Sequence, residues 1–349
     1  MFPDWDWTSL TLPARHFSWR VRGNPLYWSI ANREELSRHY DLVIVTSMVD
    51  LATLRGLVPS LTVTPTVVYF HENQFDYPSQ QGQTESLEAQ MVSIYSALAA
   101  DQLVFNSSYN RDTFFIGLER LLNKLPDFVP GNVVDLLKPR ACVVPVPVAL
   151  ERTSSGVSIW PARGQDNRVR ILWLGRFEYD KAPERLLNLL EALECHALSY
   201  HLAIVGQQFR QLPEAFARIR SAYAENLICM GFVEERSAYC RLLREADMVV
   251  STALHEFQGI AVGEAVASGC TPVVPDRLAY SEYYCAPFRY QSWVDDPRKE
   301  SEAMAQRVVQ LAQQQSRATS PAAVQDWSET ALLPRYMQAF RDAGCALPG

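Results

Sequence analysis

The stretch "DMVVSTALHEFQGIAVGEAVASGCTPVVP", Asp247 to Pro275, decides the fold class. Its ends, "DMVVST" and "TPVVP", are short runs rich in valine and apolar on both faces. The middle reads as a loop followed by a helix that starts near Gly259, runs to Ser268 and stops at Gly269. Strands without a polar face need cover on both sides, which a parallel sheet wrapped in helices provides. The loop and helix also carry two carboxylates, Glu256 and Glu264, eight positions apart.

The same rhythm extends in both directions. In the first half the expected strands are 9–12, 41–47, 66–70, 102–107 and 142–146, with helices over 84–100 and 107–123. In the second half they are 169–175, 201–206, 226–231, 247–252 and 271–275. Two blocks of strand–helix alternation predict two Rossmann-like, doubly wound α/β domains facing each other across a cleft. The expected boundaries are residues 1–150, a polar linker at 151–168, a second domain at 169–320, and a C-terminal segment, 321–349. The tail is helical over 321–343, with Trp327, Leu332, Leu333, Tyr336 and Phe340 as its apolar stripe, and packs back on the first domain. A length of 349 residues fits two domains.

Composition sets further bounds. With 48% hydrophobic and 20% charged residues the chain is of ordinary globular type. A formal charge of -7 argues against a surface coated in basic residues but leaves room for a local basic groove. The seven cysteines are odd in number, scattered and without a CxxC pair, so neither a disulfide framework nor a zinc site is expected. Cys195-His196 reads as an ordinary helix end. No apolar run reaches the roughly 18 residues that span a bilayer. The N-terminus lacks the features of a secretory leader, and a reducing, cytoplasmic setting is expected.

In open parallel sheets ligands bind beyond the carboxyl ends of the strands, so the loops there carry the chemistry. The helix beginning after Gly259 presents open amides and the positive end of its dipole, an anion site. Gly259 permits close approach of a ligand to the backbone. Glu264 lies five residues further, roughly 7 Å along the axis. A nucleotide-sugar diphosphate at the helix start would put its sugar near Glu256 and its ribose near Glu264, since carboxylates accept from vicinal hydroxyls. The spacing alone fits equally a surface acid and an unrelated helical acid. In "GRFEYDKAPERLL" (175–187), Gly175 turns the chain, and Arg176 and Lys181 could neutralise a diphosphate. Gly231, Phe232 and Val233, at the end of another strand, could frame a base.

The first half offers acceptor-side candidates. In "YFHENQFDYP" (69–78), His71, Glu72, Asn73 and Gln74 follow a strand directly, and His71 could donate to a sugar hydroxyl or shape the reaction centre. Asn106 and Ser107 end the next strand and could contact the acceptor, while Ser107 or Ser108 better suits a cap of the following helix. In "LPARHFSWRVRGNPLYW" (12–28), Arg15, His16, Trp19, Arg20 and Arg22 interleave cations with aromatic rings, and no acid occurs between residues 7 and 33. That mixture suits stacking on bases and pairing with phosphates, and equally a segment lying over the domain surface. Asp4-Trp5-Asp6 matches a short metal-binding pattern of sugar transferases, but precedes any strand end and reads as coincidence.

Together these residues resemble a family. "HEFQGIAVGEA" looks like the acid–seven residues–acid motif of retaining glycosyltransferases of the two-domain GT-B fold (family four), and "GRFEYDKAPE" their diphosphate loop. More narrowly, "LPARHFSWRVRG", "YFHENQFDYP" and "LGRFEYDKAPE" resemble the tRNA-queuosine mannosyltransferases over nearly the whole chain. The resemblance implies GDP-mannose as donor, queuosine at the wobble position of tRNA-Asp as acceptor, retention of configuration, and neither metal nor other cofactor. It also implies a first domain that binds tRNA, a second that binds the nucleotide-sugar, and no membrane partner. Carried over, Arg176 and Lys181 hold the diphosphate, and Glu256 binds mannose hydroxyls. The amides around Gln258, Gly259 and Ile260 meet the phosphates, Glu264 takes the ribose, and His71 stands at the reaction centre. Members of the family open with a strand, a Gly turn and a helix before the "LTLPAR" stretch, whereas this sequence begins at "MFPDWDW"; the first domain is therefore expected to lack its first strand and helix. Two other readings are a family-four transferase acting on a lipid or glycan, and a noncatalytic tRNA-binding protein.

Overall fold

A computed structural model describes residues 1–13, 16–76, 87–148, 158–163, 168–208, 212–314 and 327–346. The chain forms two units, one of Met1–Val146 joined by the segment from Glu329 onward, the other of Pro147–Ser328.

The first unit holds a parallel sheet in the order β1 (Val43–Thr46), β2 (Thr66–Phe70), β3 (Gln102–Phe105), β4 (Ala141–Val143). Every residue of β2 and β3 is buried, as strands covered on both faces must be. Phe70, Phe105, Phe114 and Leu118 pack one side of the sheet, where the helices Leu87–Ala99 and Ser108–Leu122 lie.

The expected strand at 9–12 does not form. β1 is the sheet edge, and residues 9–12 run as irregular chain while Leu10 and Leu12 pack against the Trp28–Val49–Leu54 cluster. Apolar side chains can be buried without a ladder, so alternation alone does not make a strand.

The stretch 17–31, read above as a cationic and aromatic segment, is a helix despite Gly23 and Pro25. Pro25 has no N–H for the carbonyl four residues back. Asn24 supplies the missing donor: its Nδ2 lies 2.9 Å from Val21 O, 2.7 Å from Arg20 O and 3.1 Å from Met48 O, and its Oδ1 accepts from Asp50 N. Trp19 lies across Gly23, where any Cβ would meet the indole at 2.6 Å.

The second unit holds six parallel strands in the order β10-β9-β8-β5-β6-β7. They are β5 (Val169–Leu174), β6 (Tyr200–Val205), β7 (Leu227–Gly231), β8 (Met248–Val250), β9 (Thr271–Pro275) and the two-residue β10 (Arg289–Tyr290). The strand order reverses between β5 and β8, the switch point at which doubly wound sheets open a crevice. The turns after β5 and β6 are pressed together. A Cβ at Gly206 would sit 1.8 Å from Gly175 O, so only glycine fits there.

Part of the expected linker belongs to the core. Trp160 is buried against Leu172, Val205 and Leu242 and donates to Leu242 O at 3.0 Å. Residues 151–157 and 164–167 lie outside the described residues. The C-terminal helix spans Glu329–Asp342; residues 321–326 of its expected range also lie outside the described residues. Trp327 precedes the helix instead of riding on it. It is buried in the second unit against Gly263, edge-on to Tyr283.

Asn24→Ala would leave the carbonyls of Val21 and Met48 without this donor. The expected loss is about 1–3 kcal/mol of stability, read as a lowered urea midpoint; an unchanged midpoint would contradict the role given to Asn24.

Candidate functional site

In the second unit the loops after β5 and β8 are tied together by buried polar groups. Trp173 Nε1 donates to Thr252 Oγ1 at 2.9 Å, and Thr252 Oγ1 donates to Lys181 O at 2.6 Å. Leu254 N bonds to Asp180 O at 2.8 Å. Lys181 stands at the centre. Its Nζ lies 3.1 Å from Asp180 Oδ2, 3.1 Å from Glu256 Oε2 and 2.9 Å from His255 O. Burial works against this ammonium, but Glu256 and Asp180 outweigh it and hold its pKa above the ordinary lysine value. Arg176 is half exposed, pairing with Glu178 at 2.9 Å and approaching Asp180 at 3.6 Å. Burial, and then the charge of Lys181, lower the pKa of His255 to about 4, so its ring is neutral at pH 7.

Behind the β8 loop, Arg277 donates to Ala253 O at 2.8 Å and pairs with the buried Glu300 at 2.7 Å. Arg185 pairs with the same carboxylate at 2.8 Å. These pairs hold the start of the loop from its protein side.

The helix Ile260–Ala267 begins where the sequence placed it. Gly259 takes φ 80°, and a Cβ there would meet Tyr280 at 2.7 Å, so residue 259 must be glycine on two counts. The first helical bond closes from Gly263 N to Gly259 O, so the amides of residues 260–262 precede it at the open end. Gln258 is buried and Ile260 partly exposed.

Beside this cluster is a cavity of about 330 Å³ lined by Gly175, Gly206, Phe232, Val233, Ala261 and Glu264 among others. That volume lies at the small end of the roughly 300–1,000 Å³ of ligand sites. Gly231, with φ 141°, turns the chain into Phe232, which is 67% exposed. Thus Gly175, Phe232, Val233 and Glu264 share one cavity. Lys181 adjoins it, its Cγ lying 3.2 Å from the point where a Cβ of Gly175 would stand.

The first-unit candidates divide. His71 follows β2, its ring 4.6 Å from that of Tyr69, and reaches solvent. Partial burial lowers its pKa, so it too is neutral at pH 7. Glu72 and Gln74 are half-buried beside it; Ser47 Oγ donates to Glu72 O, and Gln74 Nε2 lies 3.9 Å from Met48 Sδ.

Asn73, Asn106 and Ser107 are not acceptor contacts. Asn73 is fully buried, donating to Asn110 O, Asn110 Oδ1 and Thr113 Oγ1 at 2.9–3.0 Å and accepting from Phe75 N and Asp76 N. Asn106 Nδ2 donates to His71 O at 2.8 Å, and Ser107 Oγ caps the next helix through Asn110 N at 2.9 Å. A loop leaving a buried strand has main-chain groups that water cannot reach, and these side chains satisfy them. They hold the backbone that carries His71.

In the 12–28 stretch, Arg22 is half exposed and paired with Asp50 at 2.7 Å and Glu88 at 3.0 Å. Trp19 is 59% exposed, Arg20 half-buried and His16 exposed. Arg15 lies outside the described residues. In Asp4-Trp5-Asp6, the ring of Trp5 packs 5.7 Å from that of Phe340. No group of three metal-ligating side chains occurs among the described residues.

Three residues at the site escaped the sequence reading: Asp180, Arg236 and Tyr239. Asp180 adjoins Lys181 and is 2% exposed. An acid in a run that turns inward beside a lysine was the available signal. Arg236 and Tyr239 hold Glu264 from 28 and 25 positions away, and nothing local marks them.

Residues 1–148 match the model of the tRNA-queuosine alpha-mannosyltransferase N-terminal domain, and residues 168–314 that of glycosyl transferases group 1. The tRNA-queuosine alpha-mannosyltransferase of Drosophila melanogaster is 33% identical over 279 residues, 78% of this chain and 73% of the relative. The GDP-mannose:cellobiosyl-diphosphopolyprenol alpha-mannosyltransferase of Xanthomonas campestris is 29% identical over 140 residues, 38% of this chain and 36% of that protein. Among solved structures, the pneumococcal O-GlcNAc transferase in complex with UDP and GlcNAc superposes with a TM-score of 0.64 at 14% identity, over 90% of this chain and 59% of its own. An alpha,alpha-trehalose-phosphate synthase (UDP-forming) of Burkholderia xenovorans gives 0.65 at 16%, over 93–95% of this chain and 79–80% of its own in its two structures. The two Rossmann-like domains are those of a GT-B glycosyltransferase. The chain belongs to the tRNA-queuosine alpha-mannosyltransferase family.

The pKa of His255 sets a pH dependence. Neutral when folded and protonated near pH 6.5 when unfolded, it contributes stability above pH 6.5 that is lost as pH falls towards 4. Between pH 7.5 and pH 5 the loss is about 2 kcal/mol. Urea midpoints at the two pH values should fall further for the wild type than for His255→Gln; equal falls would contradict a buried neutral imidazole.

Proposed function

We propose that the chain transfers mannose from GDP-mannose, with retention, to the queuosine base at the wobble position of tRNA-Asp. The observation that carries this reading is the open helix end at Gly259, with Lys181 and Glu256 beside it and Glu264 in the adjoining cavity. A diphosphate at the helix amides meets two cations, Arg176 and Lys181, and is flanked by one carboxylate for the sugar and one for the ribose. Membership of the family supports the acceptor, and the names of both mannosyltransferase relatives support the sugar.

In the reaction the bond from mannose C1 to the phosphate oxygen breaks and negative charge grows on the departing diphosphate. The queuosine hydroxyl bonds to C1 on the same face, and its proton passes to that phosphate oxygen. Arg176, Lys181 and the amides near Gln258, Gly259 and Ile260 stabilise the growing charge, the amides being already in place at the helix start. Arg176 and Lys181 are paired with carboxylates in the unliganded protein, so the diphosphate competes with Glu178, Asp180 and Glu256 for them. The same fixed charges meet the diphosphate without a metal ion, and the reading assigns none. His71 is assigned to the reaction centre as a neutral donor to a sugar hydroxyl. Gly175, Gly231, Phe232 and Val233 frame the base. On the acceptor side the assignment retains His16, Trp19, Arg20, Arg22, Glu72 and Gln74. The seven cysteines are all free, in keeping with the cytoplasm as the site of reaction, and no described helix is long and apolar enough to cross a membrane.

The test is transfer of label from GDP-mannose to tRNA-Asp with and without queuosine. Label on the queuosine tRNA alone is expected. Label only on a polyprenol-linked glycan would replace this reading with the one suggested by the Xanthomonas relative, and tRNA binding without label would leave a noncatalytic protein. Arg176→Ala and Lys181→Ala should each lower turnover about a hundredfold or more, about 3 kcal/mol of lost transition-state stabilisation; Arg176→Ala should keep its melting transition, and Lys181→Ala, which takes one partner from Asp180, should still melt cooperatively but at a lower temperature. Near-normal turnover in both would refute the diphosphate assignment.

A further inference from the structure

Glu264 is held before any ligand arrives. Its Oε1 accepts from Arg236 Nη2 at 2.9 Å, and its Oε2 accepts from Tyr239 Oη at 2.9 Å. Arg236 and Tyr239 stand three residues apart on the helix Arg236–Glu245, so they share a face. The guanidinium lies over the phenol ring, 5.2 Å from its centroid. All three side chains line the same cavity.

We infer that Arg236 and Tyr239 are positioning residues that fix the Glu264 carboxylate so that it selects ribose over 2′-deoxyribose in the donor nucleotide. The inference rests on the nucleotide-sugar reading above. A carboxylate has about four lone-pair sites. The clamp occupies one on each oxygen and leaves another on each, which matches two vicinal hydroxyls. Because the two anchors bind opposite oxygens, the carboxylate plane is held against rotation and a free site stays on each oxygen. Burial, with the charge of Glu264, pushes the Tyr239 phenol well above its ordinary pKa, so it stays protonated and donates. The bond to Glu264 likewise raises the Arg236 pKa. The arginine side chain is 46% exposed, and so open an ion pair contributes little to stability. Its geometric role is therefore the larger one.

The test is calorimetric binding of GDP, 2′-deoxy-GDP, UDP and 2′-deoxy-UDP to wild type, Tyr239→Phe and Arg236→Met, with melting curves to check the fold. Using both bases removes any dependence on base identity. The wild type should prefer ribose on the order of tenfold or more. In each variant the ribonucleotide should weaken about tenfold while the deoxynucleotide changes by less than about twofold, because only the ribose needs a fixed carboxylate. Arg236→Lys should restore part of the preference. If both sugars weaken alike in the variants, the positioning role is overturned while the donor reading stands. If the wild type binds nucleotide without preferring ribose, the role of Glu264 falls with it. If no nucleotide binds, the donor reading itself is overturned.

Discussion

The second unit depends on one buried ammonium. Lys181 sits between Asp180 and Glu256 and joins the loop after β5 to the loop after β8. A buried charge is tolerated only when partners surround it, and removing a partner from such a pair typically costs about 3–5 kcal/mol. The cluster therefore dictates which residues must stand at 180 and 256. It also holds positive charge beside the helix end at Gly259, where helix geometry leaves amides open. In the proposed reading the helix amides are in place before a diphosphate arrives, whereas Lys181 must exchange a carboxylate for it.

The surrounding structure serves that arrangement. Gly175 and Gly206 let two strand-end turns approach closely enough to wall one cavity. Gly259 takes a left-handed conformation against Tyr280, whose hydroxyl meets Ser251 Oγ at 2.9 Å. Trp327 fills the space that Gly263 leaves open one turn further along the helix. The buried Arg185–Glu300–Arg277 group fixes the carbonyl of Ala253. In the first unit the same economy appears around His71, whose carbonyl and flanking turn are held by Asn106, Asn73 and Asn110.

Much of this was legible in the sequence. Strands apolar on both faces announced two parallel sheets, and Gly259 and Gly269 marked the ends of the helix between them. Arg176, Lys181, Glu256 and Glu264 could be named because strand-end loops in such sheets face a crevice. What failed did so for identifiable reasons. Residues 9–12 alternate like a strand, but a strand requires a neighbour, and pairing is not written locally. Residues 17–31 form a helix although they contain Gly23 and Pro25, because Asn24 donates in place of the missing amide. Asn73 and Asn106 looked like ligand contacts because a polar side chain after a strand can face either a ligand or the main chain, and only coordinates separate the two; Ser107, just before a helix, is the cap its position suggested. β10, two residues long, is below the length at which any pattern can be read.

The most direct measurement of the central claim is a crystal structure of the protein soaked with GDP-mannose. The diphosphate oxygens should lie about 2.7–3.2 Å from the main-chain nitrogens at the start of the Ile260–Ala267 helix, with Lys181 Nζ or the Arg176 guanidinium turned onto them. A nucleotide lodged elsewhere, with those nitrogens facing only water and Lys181 still closed on Asp180 and Glu256, would contradict it.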